Sequence, residues 1–292
     1  MSQIEYINRQ NSETIVEEVP GGKMMTWLYN KPFGKLSLWI LIKRKLFSAI
    51  GGKYMDSSRS QKRVAPFVEK YGINLSEYII PENGFKSFNQ FFYRKVKPEF
   101  RKIENGAVSP ADGRVLAFQS MDDVPEFFVK GSAFDLTSFL NDVELAAKYA
   151  KGAMLIIRLA PVDYHRYHFP VSGEVGENIK ISGAYYSVSP IALAKKLEIF
   201  CQNKREYSIV TSESNGDVLI CDVGATLTGS IIQTHIPNSK VSKGDEKGYF
   251  AFGGSTIVVL FEKNKIKFSA DLVENTQNHK ETWLKMGEQI GE

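Results

Sequence analysis

The chain has 292 residues, 43% apolar and 24% charged, which is ample for a packed core and excludes a disordered or fibrous protein. Its net charge is only +4, and the two cysteines, Cys201 and Cys221, exclude a disulfide framework and suit a reducing compartment. The polar first twenty residues, which carry Glu5, Glu13, Glu17 and Glu18, are not expected to act as a secretory signal.

Residues 1 to about 20 read as a loose tail and Gly21-Gly22 as a hinge. Charge is then distributed unevenly. Between Val19 and Tyr54 stand Lys23, Lys31, Lys35, Lys43, Arg44, Lys45 and Lys53, with no Asp or Glu. Trp27, Leu28, Phe33, Trp39, Leu46 and Phe47 are interleaved with these cations. The apolar run Leu36 to Ile42 is too short to cross a bilayer but suits a helix lying in an anionic membrane surface. A helical arm packed on the core is the alternative; the lack of acidic partners favours the membrane. Residues 23 to 100 read as helical: Pro66 and Gly72 bracket one short helix, Ser87 caps another bearing Phe88, Phe91 and Phe92, and Lys97-Pro98 closes the region.

From about Ile103 the pattern changes to short apolar runs punctuated by turn residues. It predicts strands at Arg114–Phe118, Ala153–Leu159, Gly173–Val175, Tyr207–Thr211, Val218–Val223, Thr226–Gln233, Ser255–Phe261 and Ile266–Ser269. Two helices interrupt them. One runs from Thr137 or Ser138 to Gly152 with Phe139, Leu140, Val143, Ala147 and Ala150 inward; the other opens at Ser189-Pro190 and runs to about Phe200. The expected fold is α+β, with a mainly-β core of barrel or sandwich type (residues 103–292). An N-terminal tail and helical, basic, membrane-associating region (1–102) precedes it.

Four segments carry candidate chemistry. His165 and His168 lie three apart, but Pro161 and Pro170 flank them and argue for extended or turn backbone. With no third clustered ligand, zinc is not expected, and as an isolated pair these histidines, like His235 and His279, read as structural. Asp112, in the turn Ser109-Pro110-Ala111-Asp112-Gly113, could orient an imidazole that takes a proton from a serine. The serine that stands out is Ser255 in Gly253-Gly254-Ser255-Thr256: its hydroxyl sits beside an uncrowded backbone carbonyl, that of Gly254, and could attack it. No glycine lies two residues beyond Ser255, which disfavours a hydrolase elbow. Val241 to Phe250 reads as a hairpin presenting the Gly-Gly-Ser step.

Taken together, Ser109–Gly113, Asp163–Pro170, Val223–Thr226, Lys243–Glu246 and Gly254–Thr256, in that order, resemble the pyruvoyl-dependent phosphatidylserine decarboxylase family. Phe88–Phe92 and Arg94–Pro98 add to the likeness, which runs from about residue 85 to the C-terminus. One departure is Gly253, where the family more often has leucine.

The resemblance implies a proenzyme in which His168, oriented by Asp112, deprotonates Ser255 for attack on Gly254. Cleavage would leave a β chain ending at Gly254 and an α chain, 255–292, capped by a pyruvoyl group made from Ser255. That group would condense with the substrate amine and take up the electrons released with carbon dioxide. The resemblance places His165 at the decarboxylation step. It implies phosphatidylserine as substrate, an anionic phospholipid membrane as partner, association of the two chains of one precursor, and a peripheral place on the cytoplasmic side of the cell membrane. No nucleic-acid partner is expected, and assembly of like chains is left open. A pyruvoyl decarboxylase of a soluble amino acid and a non-catalytic lipid-binding β module are the alternatives.

Overall fold

The structure, a computed structural model, describes residues 5–17, 45–124, 135–184, 199–224, 231–253 and 255–292. The apolar basic segment up to Arg44, the hinge at Gly21-Gly22, the helix start at Ser189-Pro190, the segment Ala225–Ser230 and the Gly254 carbonyl all lie outside the described residues.

The N-terminus is not a loose tail. Strands β1 (Glu5–Asn8) and β2 (Glu13–Val16) form a hairpin, and β1 adds in parallel to β17 (Glu281–Leu284). Glu17, just past the hairpin, places its carboxylate between Arg158 (2.6 and 3.0 Å) and Arg114 (3.8 Å). Burial raises the Glu17 pKa, yet the two guanidiniums outweigh it and hold the group below the usual carboxylate range.

Helices α1 (Lys45–Asp56), α2 (Val64–Tyr71) and α3 (Phe88–Phe92) follow. The sequence signals for the last two hold. Gly72 closes α2 in the left-handed conformation at φ 60°, and the Ser87 hydroxyl accepts from Gln90 N at 3.2 Å. Buried Phe85, Phe88, Phe91 and Phe92 form a separate aromatic core with Phe67 and Phe252. A two-strand ribbon, β3 (Tyr78–Ile79) with β4 (Lys95–Val96), flanks it.

The rest is β. It comprises β5 (Ala107–Val108), β6 (Gly113–Phe118), β7 (Ala153–Leu159), β8 (Arg166–His168), β9 (Gly173–Val175), β10 (Ile179–Ile181), β11 (Arg205–Ser212) and β12 (Gly216–Gly224). After these come β13 (Ile231–Gln233), β14 (Ser239–Val241), β15 (Glu246–Phe250), β16 (Ser255–Phe261), β17 and β18 (Gln289–Gly291). Eleven strands form one mixed sheet in the order β14-β9-β11-β12-β16-β7-β6-β17-β1-β2, with β10 on β11. A three-stranded sheet, β13-β15-β8, is separate.

The large sheet is open rather than closed, which corrects the barrel form of the sequence reading. Its central strands read as apolar runs because both faces are covered. Along β16, Ile257, Val259 and Phe261 point into one core with Leu155, Ile157, Tyr167 and Phe250, whereas Val258 and Leu260 point into another with Met154, Ile156, Phe139 and Tyr149.

Two further expectations change. The helix expected to run unbroken to Gly152 is two, α4 (Leu136–Leu140) and α5 (Val143–Tyr149), split by Asn141 at φ 53° and restarted by the Asp142 side chain on Leu145 N. The break resets the helical phase, so Ala146 and Tyr149 turn inward and Val143 is exposed. Ile266–Ser269 is not a strand; Phe268 makes only an isolated bridge to Gly291. Short helix α6 (Ile199–Gln202) and α7 (Ala270–Gln277), which lies against β6, complete the described elements.

Candidate active site

Ser255 opens β16, the central strand between β12 and β7, and is fully buried. Side chains alternate along a strand, so Ser255 projects to the face that also carries Ile257. There its Oγ meets Nδ1 of His165 at 3.3 Å. His165 precedes β8, and its main-chain carbonyl accepts from Phe250 N at 3.0 Å, which joins it to the end of β15. Its Nε2 donates to the Ala160 carbonyl at 3.0 Å. That bond leaves Nδ1 as the acceptor for the Ser255 hydroxyl. The Phe92 ring stacks on the imidazole at 3.8 Å, which fixes its plane. Burial, opposed by the Ala160 bond and assisted by the positive charges of Arg94 and Arg114, pushes the His165 pKa down to about 3. His165 is therefore neutral at physiological pH.

His168 lies on β8, also buried, with different partners. Its Nδ1 donates to the Gly244 carbonyl at 2.9 Å, and Nε2 accepts from the Tyr164 hydroxyl at 3.1 Å. Burial lowers its pKa as well, but the Gly244 bond and the charges of Glu246 and Asp112 pull the other way. Asp112 accepts two bonds from Arg101, at 3.0 and 2.6 Å, and one from Met286 N at 2.8 Å. The structure thus brings Ser255 to His165. Asp112 influences His168 through its charge while its hydrogen bonds go to Arg101 and Met286.

Asp163, the first residue of the histidine segment, caps Ala160 N at 2.6 Å and pairs with Arg114, so it shapes the turn whose carbonyl holds His165. Arg166 pairs with Glu246 at 2.7 and 2.8 Å and fastens β8 to β15. Among the described residues, no group of three His, Cys, Asp or Glu side chains is placed to hold a metal ion.

The chain at Phe252 and Gly253 is held in a defined conformation. Asn89 on α3 accepts from Phe252 N at 2.7 Å and donates to Asp56 at 2.7 Å. Gly253 sits at φ 143°, a backbone region that side-chain-bearing residues rarely adopt. The glycine at the departure position therefore sets a specific backbone conformation. The sequence reading did not single out Asn89, Arg101 or the stacking role of Phe92. Each acts across more than ten positions of chain, and only the Phe-rich stretch hinted at them.

A buried serine at the head of a central strand, with a neutral imidazole on its hydroxyl, defines a β-rich protein organised around one nucleophilic side chain. Residues 88–292 match the family described as phosphatidylserine decarboxylase. The chain is 51% identical over 291 residues to a phosphatidylserine decarboxylase proenzyme of Fusobacterium nucleatum subsp. nucleatum, covering 99% of this chain and 97% of the relative. Proteins of the same description from Clostridium novyi (50%, covering 99% of each chain) and Ruminiclostridium cellulolyticum (46%, covering 99% and 97%) are similar over the same length. The chain belongs to the phosphatidylserine decarboxylase family and is a carboxy-lyase.

Proposed function

We propose that this chain is made as a proenzyme, cuts itself between Gly254 and Ser255, and then converts phosphatidylserine to phosphatidylethanolamine and carbon dioxide. The observation that carries the reading is Ser255 Oγ, buried and in contact with a neutral histidine, at the first residue of β16. The Ser255 hydroxyl attacks the Gly254 carbonyl, and the amide becomes an ester as the Ser255 nitrogen is released. Loss of the Ser255 α-proton then expels the Gly254 carboxylate and leaves dehydroalanine, which water converts to a pyruvoyl cap with departure of ammonia.

The residues present fit such a cap. The strand start is fixed on both sides by β12 and β7, and His165 faces position 255 from the third dimension. The pyruvoyl ketone supplies an electron sink for the bond to carbon dioxide. The protein's own part is to exclude water, through Phe92 and Phe250, and to place His165 at the reacting centre.

Glu246 and Asp112 support the charged form of His168 against the burial that lowers its pKa. His168 takes the proton that starts cleavage, its charged form favoured by Asp112 and Glu246; His165 orients the hydroxyl and serves decarboxylation. The 3.3 Å contact favours a second reading, in which His165 accepts the Ser255 proton directly.

Strand β16 lies between two β-chain strands, and β17 between β1 and β6, so the α chain stays embedded after the cut. Intact-mass measurement of denatured protein is expected to show two chains, the α chain blocked at its N-terminus and labelled by phenylhydrazine. A single unlabelled chain of 32.9 kDa overturns self-processing.

The basic, apolar segment before Lys45 holds the enzyme on the cytoplasmic face of the membrane, where its lipid substrate resides. Among the described residues no helix is long and apolar enough to cross a bilayer, which is compatible with peripheral binding. Sedimentation with anionic vesicles is expected to weaken as salt rises, because charge attraction is screened. Protein that stays in the supernatant at low salt contradicts this placement.

A further inference from the structure

We propose that the buried pair Asp222–Lys247 is a positioning device that holds the Ser255 strand and the histidine strand at reacting distance. The inference rests on the proposed self-cleavage at Ser255, whose hydroxyl His165 orients. Those two residues are held by different sheets. Ser255 is on β16, whose neighbour β12 pairs Gly224 with Ser255 and Asp222 with Ile257. His168 belongs to the separate sheet in which β15 pairs with β8, with Glu246 opposite it, and His165 immediately precedes β8, bonded through its carbonyl to Phe250 N at the end of β15.

Asp222 points to the same face of the large sheet as Ser255, because residues directly opposite in a ladder share a face. Lys247 lies beside Glu246 on β15. Its ammonium donates to the Asp222 carboxylate and to Gln233 Oε1 at 3.1 Å, and Gln233 Nε2 donates to Asp222 at 2.9 Å. Both charged side chains have no exposed surface. The cluster therefore ties β12 to β15 and β13 inside the core, two residues along the ladder from the Ser255 pair. Gly248, next to Lys247, allows the close approach: a β-carbon there would lie 2.2 Å from the Ile232 carbonyl.

Stability does not explain such a pair. Desolvating two ions costs about as much as their attraction returns, and apolar replacements of similar size are often neutral or stabilising. The Asp222 Oδ1 atom adds to the cost, being buried without a hydrogen-bond partner. What an ion pair supplies and an apolar contact does not is a single geometry. A shift of about 1 Å between reacting groups lowers rates by roughly a hundredfold. The 3.3 Å contact of Ser255 with His165 depends on the spacing of these two sheets.

The test removes both charges together, as Asp222→Asn with Lys247→Met, so that neither is left buried alone. The double variant is expected to melt within a few degrees of the parent while precursor accumulates, with processing slowed by roughly ten- to a hundredfold. Once processed, it is expected to lose kcat with KM little changed. Lys247→Arg, which retains the pair, is expected to process faster than the double variant. Folded double variant that cleaves at the parental rate overturns the proposal, as does a lower melting temperature with normal processing of the folded fraction. If the double variant does not fold, Asp222→Asn alone decides, and parental processing there overturns the proposal. Ser255→Ala is run alongside: cleavage of that variant refutes the Ser255 reading itself rather than the role of the pair.

Discussion

Ser255→Ala is expected to yield one uncut chain and no decarboxylation, a loss on the order of 10⁶-fold, the scale seen when the nucleophile of a concerted unit is removed. The reason is chemical rather than structural. Alanine keeps the β-carbon and the strand but has no oxygen to attack the Gly254 carbonyl, so neither the ester nor the ketone derived from Ser255 can form. The fold is expected to survive, since the hydroxyl makes a single 3.3 Å bond and the paired backbone of β16 is untouched. Loss of that bond leaves the buried His165 Nδ1 without its partner and costs about 1–3 kcal/mol. Circular dichroism should therefore match the parent, with melting lowered by only several degrees, while denaturing electrophoresis shows only precursor. Two fragments from this variant would remove Ser255 from the chemistry.

The two histidines are expected to separate by function. His168→Ala should accumulate precursor, whereas His165→Ala should process and then decarboxylate about 10²- to 10⁴-fold more slowly, the range for loss of a positioned proton-transfer group. A block to cleavage in His165→Ala with normal cleavage in His168→Ala would establish the reading in which His165 takes the proton directly. Acid sensitivity adds an independent check. Both imidazoles are held neutral in the fold, with pKa values below the ordinary 6.5. The unfolded chain therefore binds more protons than the native one as pH falls below 6.5, and the stability present above that pH is progressively lost, for His165 down to about 3. His165 contributes a slope of about 1.4 kcal/mol per pH unit in that window. Replacing His165 should flatten the dependence of the unfolding free energy on pH by about one proton. An unchanged slope would show that His165 is not kept neutral by burial.

Much of the core was legible because the controlling physics is local. Ala153–Leu159 and Ser255–Phe261 are apolar runs of strand length, and the structure places them side by side at the centre of the large sheet. Ser87 and Gly72 announced helix ends through a hydroxyl acceptor and a left-handed turn, both of which depend only on neighbouring backbone. The N-terminal hairpin was missed because Glu5–Asn8 and Glu13–Val16 are too polar to read as strands. They are strands because β17 offers an edge and because Arg158 and Arg114 await the Glu17 carboxylate. The split of the expected long helix escaped notice for the opposite reason: hydrophobic spacing survived a two-residue break at Asn141-Asp142 that changed which residues face inward.

By itself the sequence determined the β character of the core and brought out Ser255 and the histidine segment as the candidate chemistry, since each depends on residue type and near neighbours. Only the tertiary structure decided that His165, not His168, touches Ser255, and that Asp112 spends its hydrogen bonds on Arg101 and Met286. The physical reason is that these partners sit on different sheets and helices. Their distances follow from strand register and from buried charge pairing across the core, and neither is a property of any short stretch of chain.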